Sequence, residues 1–448
     1  MTMTRKQFYA LLATIIGSSI VLLDGSVVNL ALPKIASGLH ASFSDLQWIV
    51  DGYLLSLSAL ILLGGSLGDI FGRKRVYMVG LSGFGLTSLF CGLSPSIGFL
   101  ISFRILQGVF GALLVPGALA IINTNFSKDK RSAVIGKWAA WSALGSALGP
   151  LVGGYIVDTT SWRWIFYINT PLIIACLVLA KLGIEETKDN RPRRLDVLGA
   201  MLAVTGLGAL TYGLIEGPAS HWSKPVIGVL ALGFAALVIF VKVEQYTKDP
   251  MVYLPLFKSR NFTGANITTF AMYGALSGFF FALVIYLQTT LGYSAIKAGL
   301  SLLPVTFLLL SLSGRVGALA GKHGPRVFMT AGPLTVALGM VLLNGLHAGS
   351  SYVAGVFPGV FLFGLGLAIT VAPLTITVMS SVEEADSGIS SGINNAISRA
   401  AGLIVIALLG IFGAAHAYRF TVVLCAAMAA VAGILSYVFI RNNRVEQK

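Results

Sequence analysis

Apolar runs of about twenty residues recur from one end of the chain to the other, separated by short polar breaks that hold most of the charge. A helix rises about 1.5 Å per residue, so such a run matches a hydrocarbon core of about 30 Å. The short alternating segments of a membrane β-barrel are not the pattern seen. The sequence predicts spans at Phe8–Pro33, Gln47–Gly68, Val76–Leu93, Ile97–Ile122, Ala133–Val157, Trp164–Leu182, Leu195–Glu216 and Pro225–Val243. After a basic, proline-containing break it predicts Gly264–Gln288, Ala298–Ala320, Val327–Leu346, Val353–Met379, Gly388–Phe412 and Tyr418–Ile440. The expectation is an all-α membrane protein with about fourteen transmembrane helices. Arg5 and Lys6 precede the first run as in a signal peptide. The run is long and lacks a convincing small-residue cleavage site, so a retained first span is expected.

Composition agrees: 56% of the 448 residues are hydrophobic, 11% are charged and mean hydropathy is +0.85, outside the range of a soluble domain. The net charge of +14 is spread between spans rather than gathered on one soluble face, which argues against nucleic acid as a partner. Arg5 and Lys6, Arg73 to Arg75, Lys128 to Arg131, and Lys188 with Arg191, Arg193 and Arg194 occupy alternate breaks. Lys248 to Arg260, Lys322 with Arg326, and Arg441 with Arg444 continue the series. The intervening breaks carry only scattered charges such as Lys34, Arg163, Lys224, Lys297 and Arg419. The positive-inside rule then places both termini in the cytoplasm, and the number of spans is even.

Asp24 lies within the first apolar run, where an ionised carboxylate costs about 2.5–3.5 kcal/mol on insertion scales; a group retained there points to transport, with Asp24 carrying a proton. Arg104, inside the fourth run, is equally expensive and needs a partner. A weak repeat links Gly65-Ser-Leu-Gly-Asp69-Ile-Phe-Gly72-Arg73-Lys74 with Gly317-Ala-Leu-Ala-Gly-Lys322-His-Gly324-Pro-Arg326. It implies that spans one to six match spans nine to fourteen, as in transporters built from two bundles. The expected domains are a six-helix bundle at 1–185, an inserted helix pair at 186–257 and a second six-helix bundle at 258–448.

Other chemistry finds little support. Cys91, Cys176 and Cys425 lie in apolar runs without paired spacing, so no disulfide or metal site is expected. His40, His221, His323, His347 and His416 are scattered, which argues against an enzyme. No P-loop is present for nucleotide drive, and no cofactor is expected. A passive channel would leave the buried Asp and Arg unexplained.

Gly65 to Arg75 resembles the signature loop of the major facilitator superfamily, Gly-x-Leu-Ala/Gly-Asp-x-x-Gly-Arg-Lys/Arg. The resemblance implies that Gly65, Asp69, Gly72, Arg73 and Lys74 form a cytoplasmic gate. Arg104-Ile-Leu-Gln107-Gly108 is similar to the family's Arg-x-x-Gln-Gly motif, whose Arg lies close to the carboxylate of the first helix, here Asp24. Gly145-Ser-Ala-Leu-Gly149-Pro150-Leu-Val-Gly153-Gly154 resembles the Gly-Pro motif of the antiporter branch, implying a closely packed hinge. Leu23-Asp24-Gly-Ser-Val-Val-Asn29-Leu-Ala31-Leu32-Pro33 and Trp162-Arg163-Trp164-Ile-Phe166-Tyr-Ile-Asn169-Thr-Pro171 resemble segments of the drug:proton antiporter-2 branch, the fourteen-helix multidrug exporters.

That resemblance implies proton-coupled export of small hydrophobic or amphipathic compounds, by a monomer in a bacterial cytoplasmic membrane. Export of a single metabolite, lipid or self-made antibiotic is the alternative. Asn29, Asp51, Gln107, Phe280, Tyr286 and Asn394 are the substrate-contact candidates. Asp51 either attracts a cationic compound or sits solvated near the outer interface. Phe279, Phe280, Phe281 and Tyr286 either line a cavity or face lipid. Arg399, Asn394 and Asn395 either bind polar substrate groups or bond neighbouring helices. The second half has no clear intramembrane acid, since Glu383, Glu384 and Asp386 fall in a break, so neutral or monovalent substrates are expected.

Overall fold

The computed structural model describes residues 3–189, 195–383, 387–412 and 417–442. Arg191, Arg193, Arg194, Glu384, Asp386, His416 and Arg444, assigned above to breaks, lie outside the described residues. The chain is helical throughout: α1 (Arg5–Leu39), α2 (Phe43–Phe71), α3 (Arg73–Gly92), α4 (Ile97–Asn125), α5 (Lys128–Thr159), α6 (Trp164–Tyr167), α7 (Asn169–Gly183), α8 (Val197–Ala219) and α9 (Lys224–Tyr246) are followed by α10 (Arg260–Thr289), α11 (Ala295–Ser301), α12 (Leu303–His323), α13 (Arg326–Leu343), α14 (Phe357–Ser380), α15 (Ser387–Leu408) and α16 (Ala417–Phe439).

Among the described residues, twelve helical stretches are long and apolar enough to cross a membrane. The third and fifth of the fourteen spans expected from the sequence are helical, as α3 and α5, but fall short of that apolarity. α3 opens on three basic residues and is rich in Gly and Ser; α5 carries Lys137 and a stripe of small residues. Length and apolarity therefore give twelve stretches rather than fourteen.

Local sequence explains several boundaries. Thr4 with Gln7, and Ser42 with Asp45, form reciprocal caps that satisfy the orphan donors opening α1 and α2. Ser96 and Ser259 cap α4 and α10. α2 and α3 are joined by Gly72 alone, at φ 109°, a conformation that L side chains rarely adopt. The degenerate copy of this loop turns at Gly324, also at positive φ, 88°.

The chain forms two compact units. The first comprises Met1–Gly213, Lys224–Met251 and Ser294–Ile296; the second comprises Leu214–Ser223, Val252–Tyr293 and Lys297–Lys448. In the first unit α1 packs against α4, α5 and α7. Its backbone lies close to α5 because Gly145, Gly149 and Gly153 face Ser19, Ser26 and Val27; a Cβ on Gly153 would stand 2.6 Å from Val27. The Tyr77 hydroxyl donates to the Ala13 carbonyl, fixing α3 on α1. In the second unit α10 holds the same relation to α15, but there α10 supplies the glycines, with Gly274 and Gly278 against Val405.

The chain leaving α7 straps the α2–α3 turn. Arg73 N donates to Thr187 O and Asp189 N to Asp69 O, both at 2.9 Å. Glu186, three residues past α7, accepts from the backbone amides of Lys74 and Arg75, each at 3.1 Å, and so satisfies the start of α3. In the second unit Asn442, three residues past α16, accepts from Arg326 N at 3.2 Å and donates to His323 O at 3.4 Å.

Candidate functional site

Asp24, the twentieth residue of the 35-residue α1, is only 2% exposed, and Arg104 on α4 is 1% exposed. The Arg104 Nη1 donates to Asp24 Oδ2 at 2.5 Å and to Gln107 Oε1 at 2.7 Å, while Arg104 Nε donates to the Ile49 carbonyl at 3.1 Å. The other carboxylate oxygen, Asp24 Oδ1, accepts from Gln107 Nε2 at 3.1 Å and Asn169 Nδ2 at 3.4 Å. Asn169 also donates to the Ser88 hydroxyl at 3.0 Å. The guanidinium stands 4.4 Å from the Tyr53 ring centroid and 5.9 Å from that of Phe166.

Five long helices, α1 to α4 and α7, thus converge on one neutralised pair whose hydrogen bonds are filled by side chains and one carbonyl. A buried charge is stable only when paired and hydrogen-bonded in this way. Such a pair can act as a static staple between helices, or its carboxylate can exchange Arg104 and the amide donors for a proton. Among the described residues, no three His, Cys, Asp or Glu gather into a metal site.

The structure assigns Gln107 to this cluster as a direct ligand of both charges. Asn169 and Tyr53 also belong to it. Asn169 lay within a quoted motif, yet nothing in its spacing announced contact with Asp24, which comes from 145 residues earlier in the chain. Of the expected gate residues, Asp69 pairs with Arg73, whose Nη2 and Nε lie 2.7 and 3.0 Å from Oδ1. Lys74 instead reaches the Lys181 carbonyl at 2.9 Å. Gly65 lets Pro116 of α4 approach. Within the Gly-Pro motif, Gly145, Gly149 and Gly153 face α1, Pro150 lies inside α5, and Gly154 meets the backbone of Ala295 and Ile296. Asp158, one turn on, accepts from the amides of those two residues at 3.0 and 2.8 Å.

Packing decides between the alternatives left open for the remaining candidates. Asp51 is not solvated: it is fully buried on α2, and neither carboxylate oxygen has a hydrogen-bond partner among the described residues. Trp48 and Leu55, a turn to either side, meet Tyr212 and Gly208 of α8. Phe279 and Phe281 face neither lipid nor a cavity, since both are fully buried; Phe280 is half-buried with its ring edge-on to Phe363. Tyr286 stacks on Tyr418 at 3.8 Å, and its hydroxyl donates to the Leu346 carbonyl. Asn394 bonds Asn266 and Thr269 of α10, and Asn29 donates to the Gly25 carbonyl.

The family model of the Major Facilitator Superfamily matches residues 14–406, and the chain belongs to that superfamily. It is similar to the multidrug resistance protein Stp of Mycobacterium tuberculosis, at 35% identity over 91% of this chain and 76% of that protein. The puromycin resistance protein pur8 of Streptomyces alboniger is 34% identical over 92% and 83% of the two chains. The tetracenomycin C resistance and export protein of Streptomyces glaucescens is 33% identical over 91% and 76%. Among solved structures, a POT family transporter superposes with a TM-score of 0.73 at 15% identity, covering 96% of this chain and 95% of that one. A D-xylose–proton symporter gives 0.69 at 15% identity, covering 98% of each. These two likenesses concern the fold alone. The chain is a multi-pass membrane transporter of small molecules, not an enzyme.

Proposed function

We propose that this transporter is a proton-coupled antiporter that exports small hydrophobic or amphipathic compounds by alternating access across a bacterial cytoplasmic membrane. The observation that carries the reading is the Asp24–Arg104 pair, buried at the convergence of five helices. A chain whose relatives include resistance proteins, one of them named as a resistance and export protein, has use for a titratable group at that depth. In the proposed cycle Asp24 takes a proton from outside while the transporter is open outward. Protonation weakens its hold on Arg104 and Gln107, substrate leaves, and inward reopening delivers the proton to the cytoplasm. Each charge moved down the membrane potential supplies about 2.3 kcal/mol per 100 mV.

Asp69 and Arg73 act as a cytoplasmic gate, and the α1–α5 glycine seam as the hinge that seals. The arrangement is two six-helix bundles, at 1–185 and 258–448, with the pair at 186–257 inserted, fourteen spans in all, both termini cytoplasmic, working as a monomer. Asp51 meets positive charge on a substrate, while Asn29 and Phe280 line its path. A dedicated exporter of one self-made compound is the second reading, favoured by relatives named as the tetracenomycin C export protein and a probable actinorhodin transporter.

Efflux of a lipophilic cationic dye from whole cells, with and without an uncoupler, tests the proposal. Uncoupler-sensitive efflux in wild type, lost in Asp24→Asn at matched expression, is expected. Unchanged efflux in Asp24→Asn would refute the carrier role; no efflux by wild type would favour the narrow exporter.

A further inference from the structure

Arg399 is the twelfth residue of the 24-residue apolar stretch Gly388–Ile411, which places it at mid-depth in a membrane. Its side chain is too short to reach either interface of a hydrocarbon core of about 30 Å. A cation there calls for a partner. None is supplied: Arg399 is half-buried and makes no ion pair or hydrogen bond with any described residue. Nor can its own helices supply one, because α10 to α16 contain no Asp or Glu at all. Other arginines of this chain bond carbonyls, as Arg104, Arg163, Arg260 and Arg326 do. Arg399 does not.

The neighbouring polar groups are donors as well. α10 and α15 run in parallel register: Asn394 Nδ2 bonds Asn266 Oδ1 and Thr269 Oγ1, and the next turn sets Gly274 against the Ala401 carbonyl. That register brings Tyr273 to the height of Arg399 along the helices, within electrostatic range of its guanidinium. The Tyr273 hydroxyl makes no hydrogen bond to a described residue. A guanidinium and a phenol without hydrogen bonds to described residues, among helices that carry no acid, form a receptor for an oxyanion; a planar guanidinium binds a carboxylate with two parallel bonds.

We propose that Arg399 and Tyr273 receive an anionic group, a carboxylate or comparable organic oxyanion, on the exported compound. This rests on the export reading above and adds to it a class of amphipathic substrates that carry an acid. The positive charge otherwise left in α15 explains why such a group enters: it brings the missing counter-ion into a region of low dielectric, where the attraction is strong.

The test is fluorescence titration of the purified, detergent-solubilised protein with dansyl-phenylalanine and its methyl ester, which share a lipophilic body and differ by the charge. Wild type is expected to bind the acid about tenfold more tightly than the ester, the scale of one charge-assisted contact. Arg399→Gln should bind the acid no better than the ester while its ester affinity is unchanged; Arg399→Lys should keep part of the preference. Equal affinity of wild type for acid and ester, no binding of the acid, or equal loss for both ligands in Arg399→Gln would overturn the proposal. Should Arg399→Gln fail to fold, Arg399→Lys decides, because a charge-reading site retains a preference for the acid. Binding needs no proton gradient, so a failure of coupling shows separately, as absent gradient-driven uptake of either compound in proteoliposomes.

Discussion

Asp24 and Arg104 neutralise each other inside the first unit, whereas Arg399 stands at a comparable depth in the second with no acid on any helix from α10 to α16. The same contrast recurs in the turns that each unit builds from its copy of the repeated loop. Gly72 and Gly324 both turn at positive φ, and each turn is strapped by the residue three positions past a helix end. In the first unit that residue is the carboxylate Glu186; in the second it is the neutral Asn442. The units share a plan in backbone and differ in charge. One holds an internal ion pair whose carboxylate can take a proton, and the other keeps a cation open for something that arrives from outside.

The largest expected effect separates the two arginines. Arg104→Ala leaves Asp24 buried and unpaired, and should lower unfolding stability in detergent by about 3–5 kcal/mol. Arg399→Ala, which breaks no hydrogen bond or ion pair with a described residue, should not lower stability in the same denaturant titration. Similar losses for both would erase the contrast. Next come the glycine seams. Gly153→Leu drives a side chain into Val27 and Gly278→Leu drives one into Val405, each expected to cost about 1–3 kcal/mol by thermal unfolding. An effect of Gly153→Leu on transport out of proportion to that of Gly278→Leu would sharpen the view of α1–α5 as the hinge.

A smaller loss, about 1–2 kcal/mol, is expected for Gly72→Ala, where a Cβ meets both the left-handed backbone and the Glu186 carboxylate. The smallest belongs to Glu186→Gln, about 0.3–1 kcal/mol, which removes a negative charge from the start of α3 and should shrink as salt is raised. A salt-independent loss would mean that the strap acts through shape rather than charge.

How much of this was legible in the sequence depends on whether the signal was local. Asp24 and Arg104 were visible because each violates the apolar run around it, and two such violations call for one another. Gly72 was visible through its motif. The contacts of Asn169 with Asp24 and of Tyr53 with Arg104 were not, since amides and tyrosines are ordinary in membrane helices and such meetings are decided by packing across five helices. Asp51 was left open between a solvated and a substrate-facing place, because the sequence does not show what packs around it; it is fully buried on α2. Phe279 and Phe281 were misjudged for a related reason, because an apolar aromatic run does not say which face of α10 meets protein. The span count fell short where α3 and α5 trade apolarity for glycine and charge. Arg399 was noticed in the sequence, but the lack of acids on helices α10 to α16 acquired meaning only once it was seen to bond no described residue.

The central claim is that Asp24 carries the proton. Its most direct test is to reconstitute the protein with a pH-sensitive dye sealed inside the vesicles and follow internal pH when a lipophilic substrate is added without any imposed gradient. Substrate-driven proton movement in wild type, absent from Asp24→Asn at equal reconstitution, is the predicted result. Proton movement that persists in Asp24→Asn at the wild-type rate would contradict the account.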